Sequence, residues 1–197
     1  MHRDLKPENL ILRNKNDLSD IMIADFGLAE YYNEEGNYLF PRCGSLGYIA
    51  PEILSFSKYN TKVDIFSIGV IMYTLLVGES PFSGRSSKTL LKENINVSID
   101  FNYLLKRKIG PSGIELLRLL LDPDPKYRLT ADEALNHKWF STPLVLERIS
   151  LNVILIHSYT KFSETEIKGQ SPHWKNESDL TPELSSSLEN IDGTHNV

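Results

Sequence analysis

The sequence predicts a mainly helical fold that carries one small β-hairpin. Three observations lead there. Short apolar runs at Leu10 to Leu12 and Ile21 to Ala24 flank a polar turn at Asn14 to Asp17, which is the pattern of a hairpin. Asp64 to Val77 (DIFSIGVIMYTLLV) is apolar on nearly every face, so as a helix it should be buried all round, with Gly78 standing where a C-terminal stop belongs. Two later stretches combine helical spacing of apolar residues with capping residues.

Between the hairpin and the long helix, Leu28 to Tyr48 reads as a loop, because Gly36, Pro41, Gly44 and Gly47 break any period. After the long helix, Ser112 to Leu121 begins on a capping serine and repeats Ile114, Leu116, Leu117, Leu119, Leu120 and Leu121. Thr130 opens another helix, with Glu133 three residues on as its capping-box partner. Beyond about Phe140 the character changes. Leu144 to Ile156 keeps enough apolar residues for a docked helix or strand, so residues 141–162 read as a docked extension. Residues 163–197 are rich in Ser, Thr, Asn and acids, with few large apolar groups to offset the entropy of ordering, and are expected to be a disordered tail.

Composition bounds the function. The chain has 197 residues, 41% of them hydrophobic and 24% charged, which suits one real core. Its formal charge of −5 offers no broad basic field for nucleic acid or an anionic membrane surface. The densest apolar run, Ile68 to Val77, is far shorter than the roughly 20 residues that span a bilayer, and the first residues are charged, unlike a secretory signal. A single cysteine, Cys43, cannot form an internal disulfide, which fits a reducing compartment, the cytoplasm or nucleus. The expected role of Cys43 is structural packing.

The chemistry sits at the start. His2-Arg3-Asp4 is followed by Lys6 and, five residues after Asp4, by Asn9; Asp25-Phe26-Gly27 comes after the hairpin. Phosphoryl transfer to a hydroxyl needs a base near the nucleophile, cations on the phosphates, and oxygen ligands for those cations. Asp4 supplies a base, and Asn9 and Asp25 supply oxygen ligands for a hard cation such as Mg2+. Ala50-Pro51-Glu52 and Asp64-Ile65-Phe66-Ser67-Ile68-Gly69 follow in order.

With these motifs at these spacings, the chain resembles the eukaryotic protein kinases. The resemblance runs from Met1 to about Phe140, and it implies a partial kinase domain over 1–140: the large, C-terminal lobe from the catalytic loop onward, with the small lobe absent. It implies ATP and Mg2+ as cofactors and a protein substrate. Asp4 would accept the hydroxyl proton and Lys6 would neutralise charge on the transferred group. Asn9 and Asp25 would ligate the metal, Lys6, Asn9, Ile11 and Asp25 would contact the nucleotide, and Glu8 and Ser45 would lie beside the peptide, Ser45 also touching Asp4 and Lys6. Structural roles would fall to His2 packed under Phe26, to Arg3 and Gly27, to Asp64 holding the catalytic-loop backbone, and to Glu52 paired with Arg128. Phe66 replaces the family's common tryptophan. The LKPEN form of the loop is similar to serine/threonine kinases, and DIFSIGVIMYTLLVGESPF and LTADEALNHKWF look most like the calcium/calmodulin-dependent group.

Two further expectations concern regulation and completeness. No Ser or Thr lies between Leu28 and Gly44, whereas Glu34 and Glu35 sit mid-loop, which leaves two readings: a solvated acidic loop, or one of these acids occupying the site at Arg3 that a loop phosphate would otherwise fill. Calmodulin binding is not supported, since Leu144 to Ile156 contains Arg148 as its one base. A complete kinase also needs a Gly-rich loop and a strand lysine, and without them the chain is expected to bind ATP weakly alone. The sequence therefore leaves two function classes: a serine/threonine kinase seen in part, and a non-catalytic lobe that binds or scaffolds proteins.

Overall fold

A computed structural model describes residues 1–14, 17–33, 40–55 and 57–141. The expected extension and tail beyond Ser141, and Glu34 and Glu35, lie outside the described residues. Strand β1 (Leu10–Asn14) pairs antiparallel with β2 (Asp17–Ile23), Leu10 opposite Ile23 and Leu12 opposite Ile21, with a register shift between Leu12 and Asn14. The helices among the described residues are α1 (Pro51–Leu54), α2 (Lys62–Val77), α3 (Ser87–Asn96), α4 (Phe101–Lys106), α5 (Pro111–Leu120) and α6 (Ala131–Leu135). The mainly helical fold with a single hairpin is thus the one expected. The described parts of the Leu28 to Tyr48 segment form neither helix nor extended strand pairing.

Helix α2 runs through the core. Val63, Phe66 and Val70 are almost wholly buried along it, and Phe66 stacks near-parallel to Phe82 at 6.3 Å between ring centroids. Gly78 ends the helix in the left-handed conformation at φ 87° and donates its N–H to Thr74 O, which a residue without a Cβ does at no steric cost. Burial is not complete all round: Ile68 is 42% exposed, because no described element covers that stripe of the helix. Gly69, on another face, lets α5 approach closely; a Cβ there would lie 2.9 Å from the Leu121 side chain and 3.0 Å from Leu120 Cβ.

The caps explain the remaining boundaries. The cap of helix α5 lies two residues earlier than expected, at Gly110 with Pro111 in the first turn, so Ser112 lies inside the helix and is not its cap. Helix α6 opens as expected on Thr130, whose hydroxyl accepts from Glu133 N while the Glu133 carboxylate accepts from Thr130 N. Helix α3 is capped by Ser86 and α4 by Asp100. Helices α1, α3 and α4 escape the sequence reading, since each is short or carries a weak apolar stripe: α3 buries only Leu91 and Asn94. The core that results joins α2 to Ile53 and Leu54 of α1, Leu91 of α3, Leu104 of α4 and Leu116, Leu117 and Leu120 of α5.

Candidate active site

The site is built on the first nine residues, and their backbone is held from α2. Asp64, in the first turn of α2, accepts from both His2 N (2.7 Å, Oδ2) and Arg3 N (2.8 Å, Oδ1). Two charge-assisted bonds from adjacent amides to one carboxylate fix this turn. They hold Arg3 at φ 69°, a left-handed conformation that a residue with a Cβ adopts only when its surroundings over-determine it. A Cβ on Gly44, at φ 123°, would stand 2.8 Å from Arg3 O, so the loop beyond can close on this turn only with glycine there.

His2 has contacts at both ring nitrogens and on its ring edge. Asp4 N donates to His2 Nδ1 at 3.3 Å, so Nδ1 is the acceptor, the ring proton sits on Nε2, and Nε2 donates to Ala24 O at 3.0 Å. The imidazole meets the Phe26 ring edge-on at 5.0 Å. Arg3 is buried and donates through Nε to Leu28 O (2.7 Å) and through Nη1 to Tyr59 Oη (3.1 Å), with Glu30 3.8 Å from Nη2. The described acid at Arg3 is therefore Glu30, which the reading centred on Glu34 and Glu35 did not name. Tyr59 in turn donates to Pro41 O, and its burial pushes the phenol up to about 12.

The chemical groups converge on Asp4. Its carboxylate is buried and lies 3.2 Å from Lys6 Nζ, which donates to Ser45 Oγ at 2.8 Å. Asn9, also buried, donates through Nδ2 to Asp4 O (2.9 Å) and Asp4 Oδ2 (3.4 Å), so its oxygen is the end it can offer a cation. Ala24 N donates to Asn9 O at 2.9 Å, which brings Asp25 to the same end of the hairpin. Asp25 is exposed at φ 61° and accepts from Gly27 N through Oδ1. Asn9 and Asp25 thus offer oxygen donors suited to a hard cation that keeps water and phosphate in its remaining positions.

Glu8 is exposed in the 3-10 turn Pro7–Asn9, close enough that its charge adds to burial in raising the Tyr48 phenol above its ordinary range. Ile11 is exposed on β1, on the same face of the hairpin as its partner Met22, which is also exposed. Neither Glu8 nor Ile11 is drawn into the Asp4, Lys6 and Ser45 cluster by a described contact.

Below the site, Glu52 and Arg128 form a buried bidentate pair, Nη1 to Oε1 at 2.6 Å and Nη2 to Oε2 at 2.9 Å. Cys43 is buried, and burial raises its thiol above the ordinary value. Two residues that matter to the site went unnoticed in the sequence, Asn94 and Tyr59. For Asn94 a signal exists: a polar residue falls three positions after buried Leu91, on the inward face of α3.

Among known proteins, the chain is 43% identical over 153 residues to a probable serine/threonine-protein kinase 2 of Plasmodium falciparum, covering 78% of this chain and 30% of that protein. It is 37% identical over 175 residues to calcium/calmodulin-dependent protein kinase type 1B of Rattus norvegicus, and equally to that of Homo sapiens, covering 89% of this chain and 48% of each relative. The chain thus spans less than half the length of these relatives. No helix among the described residues is long and apolar enough to cross a membrane. The family described as the protein kinase domain matches residues 1–140, which hold the whole cluster from His2 to Arg128, and the chain belongs to that family.

Proposed function

We propose that the protein transfers the γ-phosphoryl group of ATP to Ser or Thr side chains of proteins, with residues 1–140 acting as the large helical lobe of the kinase fold. The observation that carries this reading is Lys6, whose ammonium lies between the Asp4 carboxylate (3.2 Å) and the Ser45 hydroxyl (2.8 Å). That arrangement sets a base and a fixed positive charge side by side in a buried setting, which is what transfer to a neutral hydroxyl requires. Asp4 takes the proton of the acceptor hydroxyl, and Lys6 stabilises the charge that develops on the transferred oxygens. Mg2+ bound with ATP would neutralise phosphate charge, held by the Asn9 oxygen and Asp25. Ile11 would pack against the nucleotide, and Glu8 and Ser45 would lie beside the acceptor peptide. Calmodulin is not proposed as a partner, since Arg148 is the one base between Leu144 and Ile156.

The test is Mg2+-dependent phosphate transfer from ATP to a pool of serine peptides randomised around the serine. Asp4→Asn, which keeps the shape and removes the base, should lower kcat by roughly 100-fold or more. Equal rates for the two proteins would overturn the assignment of Asp4. One observation favours the second reading, a protein-binding lobe without catalysis: the hairpin leaves apolar side chains exposed on both of its faces, Ile11 and Met22 on one and Ile21 and Ile23 on the other, each between 42% and 49% exposed. That reading predicts no transfer by the wild-type protein even at ATP concentrations high enough to offset the weak nucleotide binding expected of residues 1–197 alone.

A further inference from the structure

The loop that carries Ser45 has no helix or strand of its own to pair its backbone, and Gly47 and Ile49 within it are buried. Buried amide and carbonyl groups must find partners. They find them in side chains from two helices. Asn94, on α3 and 0% exposed, accepts from Gly47 N through Oδ1 at 3.0 Å and donates through Nδ2 to Ile49 O at 2.7 Å. Between these contacts, Ser67 of α2 donates to Tyr48 O at 2.8 Å.

The Asn94 contacts demand an asparagine. A donor must face Ile49 O and an acceptor must face Gly47 N, so the amide has one orientation, and an aspartate would lack the donor. A leucine would suit the inward face of α3 but would leave both backbone groups without partners. Ser45 lies two residues before Gly47, buried, and accepts from Lys6 Nζ. Tyr48 N donates back to Ser45 O, so the stretch 45–49 moves as one piece.

We propose that Asn94 is a positioning residue for phosphoryl transfer: by clamping Gly47 and Ile49 it fixes the loop through which Ser45 orients Lys6 and an acceptor peptide meets the site. This rests on the phosphotransfer reading of Asp4 and Lys6. Asn94 makes no described contact with Asn9 or Asp25, so the effect of losing it falls on the peptide and on kcat, while nucleotide binding is spared.

The experiment uses Cys43, the chain's single cysteine and buried two residues before Ser45, as a reporter of the loop. Maleimide labelling of Cys43 and hydrogen exchange of residues 44–50 are measured for wild type, Asn94→Leu, the smaller Asn94→Ala, and Leu117→Ala as a control for general core loss on α5. Both Asn94 variants should label roughly tenfold faster or more and exchange faster at 44–50, as two buried hydrogen bonds are lost. Leu117→Ala should lower thermal stability without either change. In kinetics with ATP and the randomised serine-peptide pool, kcat/KM for peptide should fall roughly tenfold in Asn94→Ala while KM for ATP stays within about twofold. Wild-type labelling and exchange in Asn94→Ala, the same changes in Leu117→Ala, or an ATP KM that rises in step with loss on the peptide would each overturn the proposal. A wild-type protein that transfers no phosphate overturns the phosphotransfer reading and the kinetic half of the proposal, while labelling and exchange still decide whether Asn94 clamps the loop.

Discussion

Replacing Arg128 by methionine removes a wholly buried cation and leaves Glu52 charged and buried without its partner. Arg128 is 1% exposed, and its guanidinium donates to both Glu52 oxygens, to Lys62 O (3.0 Å), to Asp122 O (2.9 Å) and to Pro123 O (3.4 Å). Breaking a buried pair from one side costs about 3–5 kcal/mol, and each carbonyl that loses its donor adds about 1 kcal/mol where water does not replace it. With one of the three carbonyls left without water, a loss of about 4–6 kcal/mol is expected for Arg128→Met, a large share of the roughly 5–15 kcal/mol that holds a domain together. In urea unfolding followed by far-UV circular dichroism, with a slope of about 2 kcal/mol per M, the midpoint should drop by about 2–3 M. Glu52→Gln keeps the size and one acceptor and should lose about half as much. An Arg128→Met midpoint within about 0.5 M of wild type would refute the reasoning, since it would mean that the pair is not desolvated in solution.

Three further outcomes follow from the same kind of geometry. Asp64→Asn leaves one acceptor for the two amides of His2 and Arg3 and turns an NH2 toward the other, so it should cost about 2–3 kcal/mol in urea unfolding and release Arg3 from φ 69°, with a drop in phosphate transfer larger than the stability loss alone produces. Gly69→Ala places a Cβ 2.9 Å from the Leu121 side chain and should destabilise by about 1–3 kcal/mol by forcing α2 and α5 apart, read as a lower melting temperature. Tyr59 gives a pH signature. Burial raises its phenol from 10 to about 12, so at intermediate pH the unfolded chain releases a proton that the folded chain keeps. Stability from this group is full below the unfolded value and is lost as pH rises toward the folded one. The urea midpoint should therefore fall between roughly pH 10 and pH 12, and fall less steeply in Tyr59→Phe.

Much of the fold and site was legible because the informative residues carry their chemistry in their own side chains. Alternating apolar residues around a polar turn specify β1 and β2, the unbroken apolar run specifies α2, and the Thr130 and Glu133 pair specifies the start of α6. Asp4, Lys6, Asn9 and Asp25 stood out because acids, a cation and an amide at fixed spacing have few other uses together, and the fold brings Lys6 and Asn9 within hydrogen-bonding reach of Asp4. The parts that escaped have a common physical cause. Helix α3 reads as polar because it turns only Leu91 and Asn94 inward, and α1 is a single turn with nothing periodic to detect. Ser112 looked like a cap because serine favours that position, but Pro111 belongs in a first turn, which moves the boundary back to Gly110. The burial of α2 was overstated because periodicity reports which faces are apolar and does not report what covers them.

The contacts that position the site share one trait: most end on backbone atoms. Asp64 holds the amides of His2 and Arg3, His2 holds Ala24 O, Arg3 holds Leu28 O, Ser67 holds Tyr48 O, and Asn94 holds Gly47 N and Ile49 O. A side chain that bonds to backbone leaves no chemical mark on the residue it holds, since every residue type carries a carbonyl and all but proline an amide hydrogen. Each contact is therefore visible in the sequence at its side-chain end and silent at the other. On a helix, such supports are recognised from the side-chain end only, as a small polar residue where the helix pattern asks for an apolar one. Ser67 and Asn94 both meet that description, on helices that face the same loop, and both are buried with their polar atoms satisfied. Replacing either by an apolar residue of similar volume should preserve the helix and loosen the loop, so the site fails by misplacement of Ser45 and Lys6 before the fold fails by melting.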